Sequence, residues 1–334
     1  MVDYNQEPVL TVENLQTYFF TRTGTVKAVD DISFELYPGE TLGVVGESGS
    51  GKSMTAWSIL GMVPKPAGKI VGGRIIYQGE NLVDMGEEEM REVRGKGICM
   101  VMQDPLTSLN PVHTIGNQIM ESLRLDAEDS RKSSLKSRAI DLLTKVRIPA
   151  ADSRIGDFPH QLSGGMRQRV VGAISISRSP NVLIADEPTT SLDATIQLQY
   201  LRLLKEIQAQ TGAAIIFITH DFGIVARMCD RVAVMYAGKL VELTDVYQLF
   251  DNPGHPYTEA LLKSVPDLHT DVKFLPSIEG QQPSLDDLPT GCSFWPRCPH
   301  AFQRCREEYP PEFIIEPGHM ARCWRHDGAT LDPT

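Results

Sequence analysis

One short segment, residues 46–53, restricts the fold of this chain more than any other part of it. It reads Gly46-Glu47-Ser48-Gly49-Ser50-Gly51-Lys52-Ser53. The segment matches G-x-x-x-x-G-K-[ST] and stands between a predicted strand, Thr41 to Val45, and a predicted helix, Ser53 to Met62. In this context glycines let backbone N–H groups wrap phosphates, and the helix start adds the positive end of its dipole. The segment predicts a nucleotide-phosphate site in an α/β fold.

Two side chains of this phosphate loop carry its chemistry. Lys52 would reach the β and γ phosphates of a nucleotide, and Ser53 would ligate Mg²⁺. Met54 follows at the start of the helix and belongs to the predicted site. A glycine-rich turn that binds nothing would not explain a lysine and a hydroxyl at the two required positions.

A second motif lies further along the chain, where the apolar run from Val182 to Ala185 is followed by two acids, Asp186 and Glu187. The pattern predicts a buried strand whose carboxyl end carries Asp186, where a ligand binds in sheets of this kind. Asp186 could hold Mg²⁺ through water, and Glu187 could orient the attacking water in phosphoryl transfer. Alone, such a strand end is usually a solvated turn, but the upstream phosphate loop favours the functional interpretation.

The order of predicted elements indicates the domain organisation. Short β-like runs alternate with amphipathic helical runs up to about residue 250, which is typical of an α/β domain with a largely parallel sheet. Helical spacing dominates from about residue 105 to 178 and predicts an inserted helical subdomain. Pro, Gly and Cys replace this alternation after residue 250. We predict a nucleotide-binding domain over residues 1–250 and a C-terminal extension over residues 251–334.

Composition and charge exclude several classes of protein. A chain of 334 residues with 41% hydrophobic residues can form a packed core. Its apolar runs are far shorter than the roughly 20 residues of a membrane-spanning helix, and its N-terminus does not resemble a signal peptide. A net charge of −11 argues against an electrostatic grip on nucleic acid or anionic lipid. We therefore expect a cytoplasmic protein that reaches a membrane only through protein partners.

The six cysteines are unevenly distributed. Cys99 and Cys229 stand singly in apolar surroundings and are expected to be small buried hydrophobes. The other four follow the spacing C-x5-C-x6-C-x17-C in a segment poor in apolar periodicity: Cys292, Cys298, Cys305 and Cys323. Four thiolates suit an iron–sulfur cluster or a tetrahedral zinc ion, and the spacing matches neither common zinc modules nor bacterial ferredoxins. Disulfides are the third, less favoured interpretation.

A third motif lies between the phosphate loop and Asp186 and resembles the signature of ABC ATPases. It reads Leu162-Ser163-Gly164-Gly165-Met166-Arg167-Gln168. Other landmarks of that family follow in its order: Gln103 of the Q-loop, Ser191-Leu192-Asp193 of the D-loop, the switch histidine His220, and Phe19 as the aromatic residue that stacks on adenine.

The resemblance implies an ABC cassette, a P-loop NTPase fold with a RecA-like core, an antiparallel β subdomain and the helical subdomain. It implies catalytic roles for Lys52, Gln103, Glu187 and His220, and Mg²⁺ ligation by Ser53, Gln103 and Asp186. Taken singly, Phe19 could instead be a core aromatic beside Tyr18 and Phe20, and His220 a satisfied histidine at a strand end.

The signature motif has a consequence for assembly. Ser163 with the amides of Gly164 and Gly165 would form a second anion site at a helix N-terminus, although the phosphate loop already serves one nucleotide. In the resembled family each signature completes the ATP site of a facing cassette, so closure around two ATP molecules drives the transporter. The helical subdomain would meet two membrane permease subunits. Met166, where many signatures have Gln, leaves open whether both sites turn over equally.

The resemblance is most specific to the first of the two ATPases of di- and oligopeptide importers. It rests on GESGSGKS, QDPLTSLNP, ADEPTTSLD, THDFGIVA and the segment from Gly254 to Leu262. It implies a non-identical second cassette, an extracytoplasmic solute-binding protein and a peripheral position on the cytoplasmic face of the membrane. Related systems carry nickel, glutathione or oligosaccharides. The stretch GCSFWPRCPHAFQRC resembles the same group and favours a structural [4Fe–4S] cluster over zinc.

Other ABC classes fit less well. DNA-repair and chromosome ATPases need a long coiled-coil insertion, but only 109 residues separate Ser53 from Ser163 and they carry no extended heptads. Translation-type proteins carry two cassettes in one chain, and exporters usually add membrane helices. A regulatory protein with an inactive cassette would not retain Lys52, Asp186, Glu187 and His220.

Overall fold

The structure is a computed structural model that describes residues 2–125, 131–190, 192–265 and 277–328. The described chain divides into two compact units. The first unit comprises residues up to Val9, Tyr37–Glu40 and Met85–Ile216, and the second comprises Leu10–Leu36, Thr41–Asp84 and the chain from Phe217 onwards. The predicted boundary at residue 250 lies inside the second unit and stays a prediction.

The described residues contain twelve strands and twelve α-helices, numbered here in chain order. The strands are β1 Leu10–Phe20, β2 Thr25–Leu36, β3 Thr41–Val45, β4 Gly68–Tyr77, β5 Glu80–Asn81, β6 Ile98–Val101, β7 Val182–Asp186, β8 Ala214–Ile218, β9 Arg231–Tyr236, β10 Lys239–Asp245, β11 Phe313–Glu316 and β12 His319–Ala321. The helices are α1 Lys52–Ile59, α2 Glu87–Glu92, α3 Pro105–Ser108, α4 Ile115–Arg124, α5 Lys132–Lys145, α6 Ala151–Arg154, α7 Gly164–Ile176, α8 Ala194–Thr211, α9 Phe222–Met228, α10 Val246–Asp251, α11 Pro256–Lys263 and α12 Gln303–Glu307.

The second unit contains an antiparallel sheet with the strand order β2-β1-β4-β5. Buried side chains alternate with less buried ones at Leu10 and Val12 of β1 and again at Leu15 and Thr17, as expected for a sheet with one face on the core. The register of β1 shifts at several points along both neighbours, so the sheet carries β-bulges. This sheet corresponds to the antiparallel β subdomain that the sequence resemblance implies.

The second unit also contains the strands on which the phosphate loop is built. Strand β3 pairs in parallel with β9, and β9 continues through antiparallel pairs to β10, β12 and β11. All five residues of β3 are buried, as expected for a strand covered on both faces. Because β12 pairs with β10, the described end of the chain extends the same set of strands.

The first unit contains parallel strands β6 and β7, paired from Ile98–Val182 to Val101–Ala185. Helices α3 to α7 lie between these two strands in sequence, over the stretch predicted to be helical. Helix α4 buries Ile115, Ile119 and Leu123 along one face at helical spacing. Strand β8 crosses from the first unit to the second at Ile216.

Strand β3 lies where it was predicted, β7 occupies the predicted apolar run, and α1 begins one residue before its predicted start and ends three residues before its predicted end. Strands β4 and β6 were not predicted, because glycines interrupt the first and the second is only four residues long. Among the described residues, no helix combines the length and the apolar character needed to cross a bilayer.

Candidate functional site

The phosphate loop connects β3 to α1 and depends on glycines at two positions. Gly46 and Gly51 have φ angles of 152° and 104°. A Cβ on Gly46 would lie 2.2 Å from the Met235 carbonyl oxygen, and one on Gly51 would lie 2.3 Å from the Ala28 carbonyl oxygen. Neither backbone oxygen can retreat easily, so the loop requires glycine here. The loop thus has the compact path that phosphate binding demands.

Lys52 begins α1 and folds back over the loop. Its Nζ donates to the carbonyl oxygens of Gly46 (2.8 Å) and Glu47 (2.9 Å), and the residue is only 6% exposed. The two carbonyls hold the buried Lys52 side chain over the loop. The donor set therefore suits an anionic nucleotide, and Ser53 follows on the same helix start as the proposed Mg²⁺ ligand.

Residues far along the chain also hold this loop. The Glu47 N–H donates to Tyr257 Oη (2.8 Å), and Gln282 Nε2 donates to the Gly49 carbonyl (3.3 Å). Arg297 forms a bidentate ion pair with the Glu47 carboxylate. These contacts could not be predicted from the sequence, since single polar residues in a loop-rich segment carry no local signal.

His220 belongs to the same unit as the phosphate loop. It is exposed and comes directly after Thr219, whose N–H donates to the Val44 carbonyl (3.2 Å) in the strand that leads into the loop. Asp221 then caps α9 by accepting from the N–H groups of Gly223 and Ile224. His220 is thus held between a strand end and a capped helix, a position suited to sensing a phosphate.

The aromatic residues at the end of β1 differ in their surroundings. Tyr18 Oη donates to Asp30 Oδ1 (2.5 Å), and burial raises the pKa of Tyr18. Phe19 points to the opposite face and is half-buried against Gly68, while Phe20 is 50% exposed. These positions leave the adenine-stacking role of Phe19 a prediction.

The first unit brings three predicted residues together at the end of β7. Asp186 is buried, and the following Glu187 has a φ of 44°, an uncommon left-handed backbone for a residue with a side chain. Gln103 Nε2 and Thr190 Oγ1 both donate to Glu187 Oε2, at 3.0 and 3.1 Å. Such strain often accompanies a functional role, and here it directs the carboxylate toward Gln103.

The signature motif forms the start of α7 in the first unit. Ser163 is the N-cap, and its Oγ accepts from the Met166 N–H at 3.4 Å. Ser163 and Gly164 are exposed, and a Cβ on Gly165 would lie 2.5 Å from Ile196 Cγ2 of α8. The exposed helix start is available to an anion from outside the unit.

The D-loop lies at the start of α8. Asp193 is the N-cap of this helix, since its Oδ1 accepts from the N–H groups of Thr195 (3.1 Å) and Ile196 (3.0 Å). Ser191 lies outside the described residues. The structure thus places the predicted residues in two sets. Phe19, the phosphate loop with Met54, and His220 are in the second unit; Gln103, Asp186, Glu187, the signature and Asp193 are in the first.

Four cysteines of the second unit line one small cavity of about 20 Å³, together with His255, Phe294 and Trp324. Burial raises the pKa of the Cys292 thiol to about 12 and that of Cys323 to about 11, and neighbouring thiols of the set add to both shifts. The thiols of Cys292 and Cys323 would therefore stay protonated at neutral pH. Within the described ranges no cysteine forms a disulfide.

The same cysteines do not converge on a single point. Over the described part of the chain, no group of three or more His, Cys, Asp or Glu side chains has the geometry to hold one metal ion. A tetrahedral zinc ion would draw its sulfurs to about 2.3 Å from one centre. The predicted iron–sulfur or zinc site therefore stays a prediction.

Comparisons with known proteins cover most of the chain. A family model described as ABC transporter matches residues 29–190, and one described as oligopeptide/dipeptide transporter, C-terminal region, matches residues 241–305. Among solved structures, the dimeric post-hydrolysis state of the cassette MJ0796, bound to ADP and Pi, has a TM-score of 0.64 at 22% identity, covering 71% of this chain and 98% of that chain. This likeness confirms the fold of an ABC cassette.

Curated relatives match over nearly their whole length. The chain is 49% identical over 318 residues to the probable peptide ABC transporter ATP-binding protein y4tR of Sinorhizobium fredii, covering 95% of each chain. It is 47% identical over 321 residues to the dipeptide transport ATP-binding protein DppD of Bacillus subtilis, covering 96% of each chain. The chain therefore belongs to the ABC transporter ATPases, within the group of peptide ABC transporter ATP-binding proteins.

Proposed function

We propose that this chain hydrolyses ATP to power the import of di- or oligopeptides. The observation that carries the proposal is the match of both the cassette and the downstream region 241–305 to peptide transporter ATP-binding proteins, in a chain whose phosphate loop retains a buried, oriented Lys52. The relatives named above are described as peptide or dipeptide transport proteins.

The chemistry is the attack of water on the γ-phosphorus, which breaks the bond to the bridging oxygen and releases ADP and inorganic phosphate. Lys52 and the loop amides would bind the β and γ phosphates. The Glu187 carboxylate would orient the water, with Gln103 holding its Oε2, and His220 would contact the γ-phosphate. Bound Mg²⁺ would neutralise phosphate charge and would be held by Ser53, Gln103 and Asp186.

The exposed signature supports a role in pairing. Ser163, Gly164, Gly165 and Met166 would face the nucleotide of a second, non-identical cassette, with Asp193 and the D-loop near the contact. Two membrane permease subunits would carry the pair on the cytoplasmic face, and an extracytoplasmic solute-binding protein would deliver the peptide. ATP-driven closure and hydrolysis-driven opening would then alternate access through the permease.

The test of this function uses the whole transporter. The chain is co-purified with its neighbouring permease and cassette subunits, reconstituted, and assayed for ATP hydrolysis with the solute-binding protein and a set of dipeptides and longer peptides. We expect peptides to stimulate hydrolysis and to accumulate inside vesicles. Stimulation by nickel, glutathione or oligosaccharide alone would contradict the peptide assignment while retaining the importer ATPase.

We also propose that the four cysteines lining the cavity hold a [4Fe–4S] cluster. The four sulfur donors line one cavity, and the stretch GCSFWPRCPHAFQRC resembles the peptide-importer ATPases, which favours the cluster over a zinc ion. When bound, the cluster would cross-link the segments that carry the cysteines. Cys292 and Cys298 would tie one end of the cysteine-bearing segment to the cluster, and Cys305 and Cys323 would tie the other end to it.

Metal and sulfide analysis tests this site. Anaerobically purified protein should contain about four irons and four sulfides per chain. The Cys298→Ser variant should lose them, while the matched variant Cys99→Ser, outside the cavity, should keep them. Zinc at one equivalent without sulfide would contradict the cluster.

A further inference from the structure

The ion pair between Arg297 and Glu47 joins the cysteine-bearing segment to the phosphate loop. Arg297 Nη1 donates to Glu47 Oε2 at 2.7 Å, and Nη2 donates to Oε1 at 3.0 Å. The pairing is bidentate, the arrangement in which the planar guanidinium matches a carboxylate best. Both residues belong to the second unit.

The guanidinium is fixed on its other edges as well. Arg297 Nε donates to the Glu279 carbonyl at 3.0 Å, and its side chain is only 5% exposed, against 29% for that of Glu47. The guanidinium also lies over the Tyr236 ring. A buried, many-sided anchor of this kind has little freedom to follow a moving partner, so the position of Arg297 sets the position of Glu47.

Glu47 is held at three points. Its carboxylate is bound by Arg297, its N–H donates to Tyr257 Oη, and its carbonyl accepts from Lys52 Nζ. The lysine proposed to bind the β and γ phosphates therefore shares a partner with the arginine. A contact chain runs from Arg297 through Glu47 to Lys52.

Charge gives the contact a second effect. Glu47 is an anionic residue within a loop that is proposed to bind the phosphates of ATP. Without a counter-ion its carboxylate would repel those phosphates. The guanidinium of Arg297, which belongs to the cysteine-bearing segment, neutralises this charge.

We propose that Arg297 is a positioning residue for ATP binding, which holds and neutralises Glu47 so that the phosphate loop is preorganised for the nucleotide. This inference rests on the proposed ATPase function and adds a residue from outside the cassette motifs. Through Arg297, the segment around Cys298 would directly influence the affinity of the phosphate loop for the nucleotide.

The test compares two arginines of the same segment in the full-length chain within its transporter complex. Arg297 and Arg304 each directly precede a cysteine of the set, but Arg304 contacts Asp327, Glu308 and the Trp324 ring. We expect Arg297→Met to raise the KM for ATP and the Kd of a fluorescent ATP analogue about tenfold, with kcat changed less than about twofold. Arg304→Met should leave both constants within about twofold of the wild type.

A double variant separates the proposed positioning role of Arg297 from a general loss of structure. Adding Glu47→Gln to Arg297→Met removes the unneutralised carboxylate, so the double variant should bind ATP more tightly than Arg297→Met alone. Arg297→Lys keeps the charge without the fork and should lose about threefold in affinity. If Arg297→Met fails to fold, as judged by thermal unfolding, the Arg297→Lys comparison decides.

Three results would overturn the inference: Arg297→Met binding ATP as the wild type does, Arg304→Met weakening it equally, or no recovery in the double variant. An Arg297→Lys variant that binds ATP with wild-type affinity would also overturn the inference. Failure of the wild-type protein itself to bind the ATP analogue would contradict the proposed function instead, so the two failures are distinguishable.

Discussion

The phosphate loop of the second unit and the signature turn of the first are both glycine-containing helix starts, but they are held in different ways. The signature turn is fixed by neighbours in its own motif or the next helix, through Ser163 Oγ and the close approach of Gly165 to Ile196. The phosphate loop is fixed by Tyr257, Gln282 and Arg297, more than 200 positions away. The signature turn is exposed and held by nearby residues, whereas the phosphate loop depends on residues that are distant in sequence.

The difference agrees with the partners proposed for each site. The signature turn would contact a separate cassette and then release it. An exposed helix start that is held only by its own motif and the next helix suits this role. A loop that binds ATP in every cycle benefits from a preformed geometry, because less free energy is spent on ordering it. The two helix starts therefore differ in how strongly distant substitutions should affect them.

The largest effect is expected in the locally held first unit, at Glu187. We expect Glu187→Gln to lower the rate of ATP hydrolysis by about a thousandfold, because the amide no longer orients water as the carboxylate does. ATP binding should persist and trap a closed cassette dimer, detectable by size-exclusion chromatography. The exposed Glu206→Gln serves as the control, and hydrolysis at the normal rate in Glu187→Gln would remove the catalytic assignment.

The next largest effect is expected at Glu242 of the second unit, where one buried carboxylate joins residues that are distant in sequence. This carboxylate is fully buried and accepts from the Gly254 and His255 N–H groups, from Thr258 Oγ1 and from His319. We expect Glu242→Gln to lower the free energy of unfolding by about 3 kcal/mol, since it breaks a buried charged network. Chemical denaturation measures this, with exposed Glu316→Gln as the control, expected within about 0.5 kcal/mol of the wild type.

The same residue predicts a pH dependence. Although burial opposes it, hydrogen bonds from His319 and Thr258 lower the pKa of Glu242 below its usual value of 4.5. The stabilisation is therefore complete above about pH 4.5 and is lost as the pH falls through the folded-state pKa. Unfolding measured from pH 6 to pH 3 should show a shallower loss in Glu242→Gln than in the wild type, and parallel curves would contradict the assignment.

Alanine substitutions at matched glycines compare the two helix starts directly. Gly51→Ala places a methyl group 2.3 Å from a backbone oxygen, and Gly165→Ala places one 2.5 Å from a side-chain methyl group. We expect losses in unfolding free energy of about 2 and about 1 kcal/mol respectively, because a backbone yields less than a side chain. Gly164→Ala, which meets nothing within 4 Å, is the control. Equal losses at Gly51 and Gly165 would mean that both starts are equally rigid.

The smallest effect concerns one hydrogen bond. Tyr257→Phe removes the acceptor of the Glu47 N–H and should cost about 1 kcal/mol of unfolding free energy, with an ATP affinity about threefold lower. Titration with a fluorescent ATP analogue measures the second quantity. Tyr247→Phe, at an exposed tyrosine, should change neither. An unchanged affinity in Tyr257→Phe would confine the long-range support to Gln282 and Arg297.

Much of the cassette could be predicted because its signals are local. The phosphate loop, Asp186, Glu187 and the signature each fit within eight consecutive residues, and hydrophobic periodicity marks the helices that follow them. The position of β3 and the start of α7 agree with those patterns.

The support of the phosphate loop could not be predicted. Arg297 ends a three-residue 3-10 helix beside Cys298, and its partner Glu47 is set by the tertiary fold, so no spacing rule connects the two. The strained backbone of Glu187 has no sequence signature either, since it arises from the way the chain leaves β7. The joining of β12 to β10 likewise depends on a three-residue strand, too short for a periodic signal.

The distance in sequence between Arg297 and Glu47 has a consequence for synthesis. The two residues are 250 positions apart, so at about 5 to 20 residues per second a ribosome needs about 12 to 50 s to supply the arginine after the glutamate. During that interval the nascent chain carries the complete phosphate loop without the group that neutralises Glu47. A product ending before Arg297 would keep every cassette motif and still lack this support, so the phosphate loop gains its full ATP affinity only after Arg297 has been synthesised.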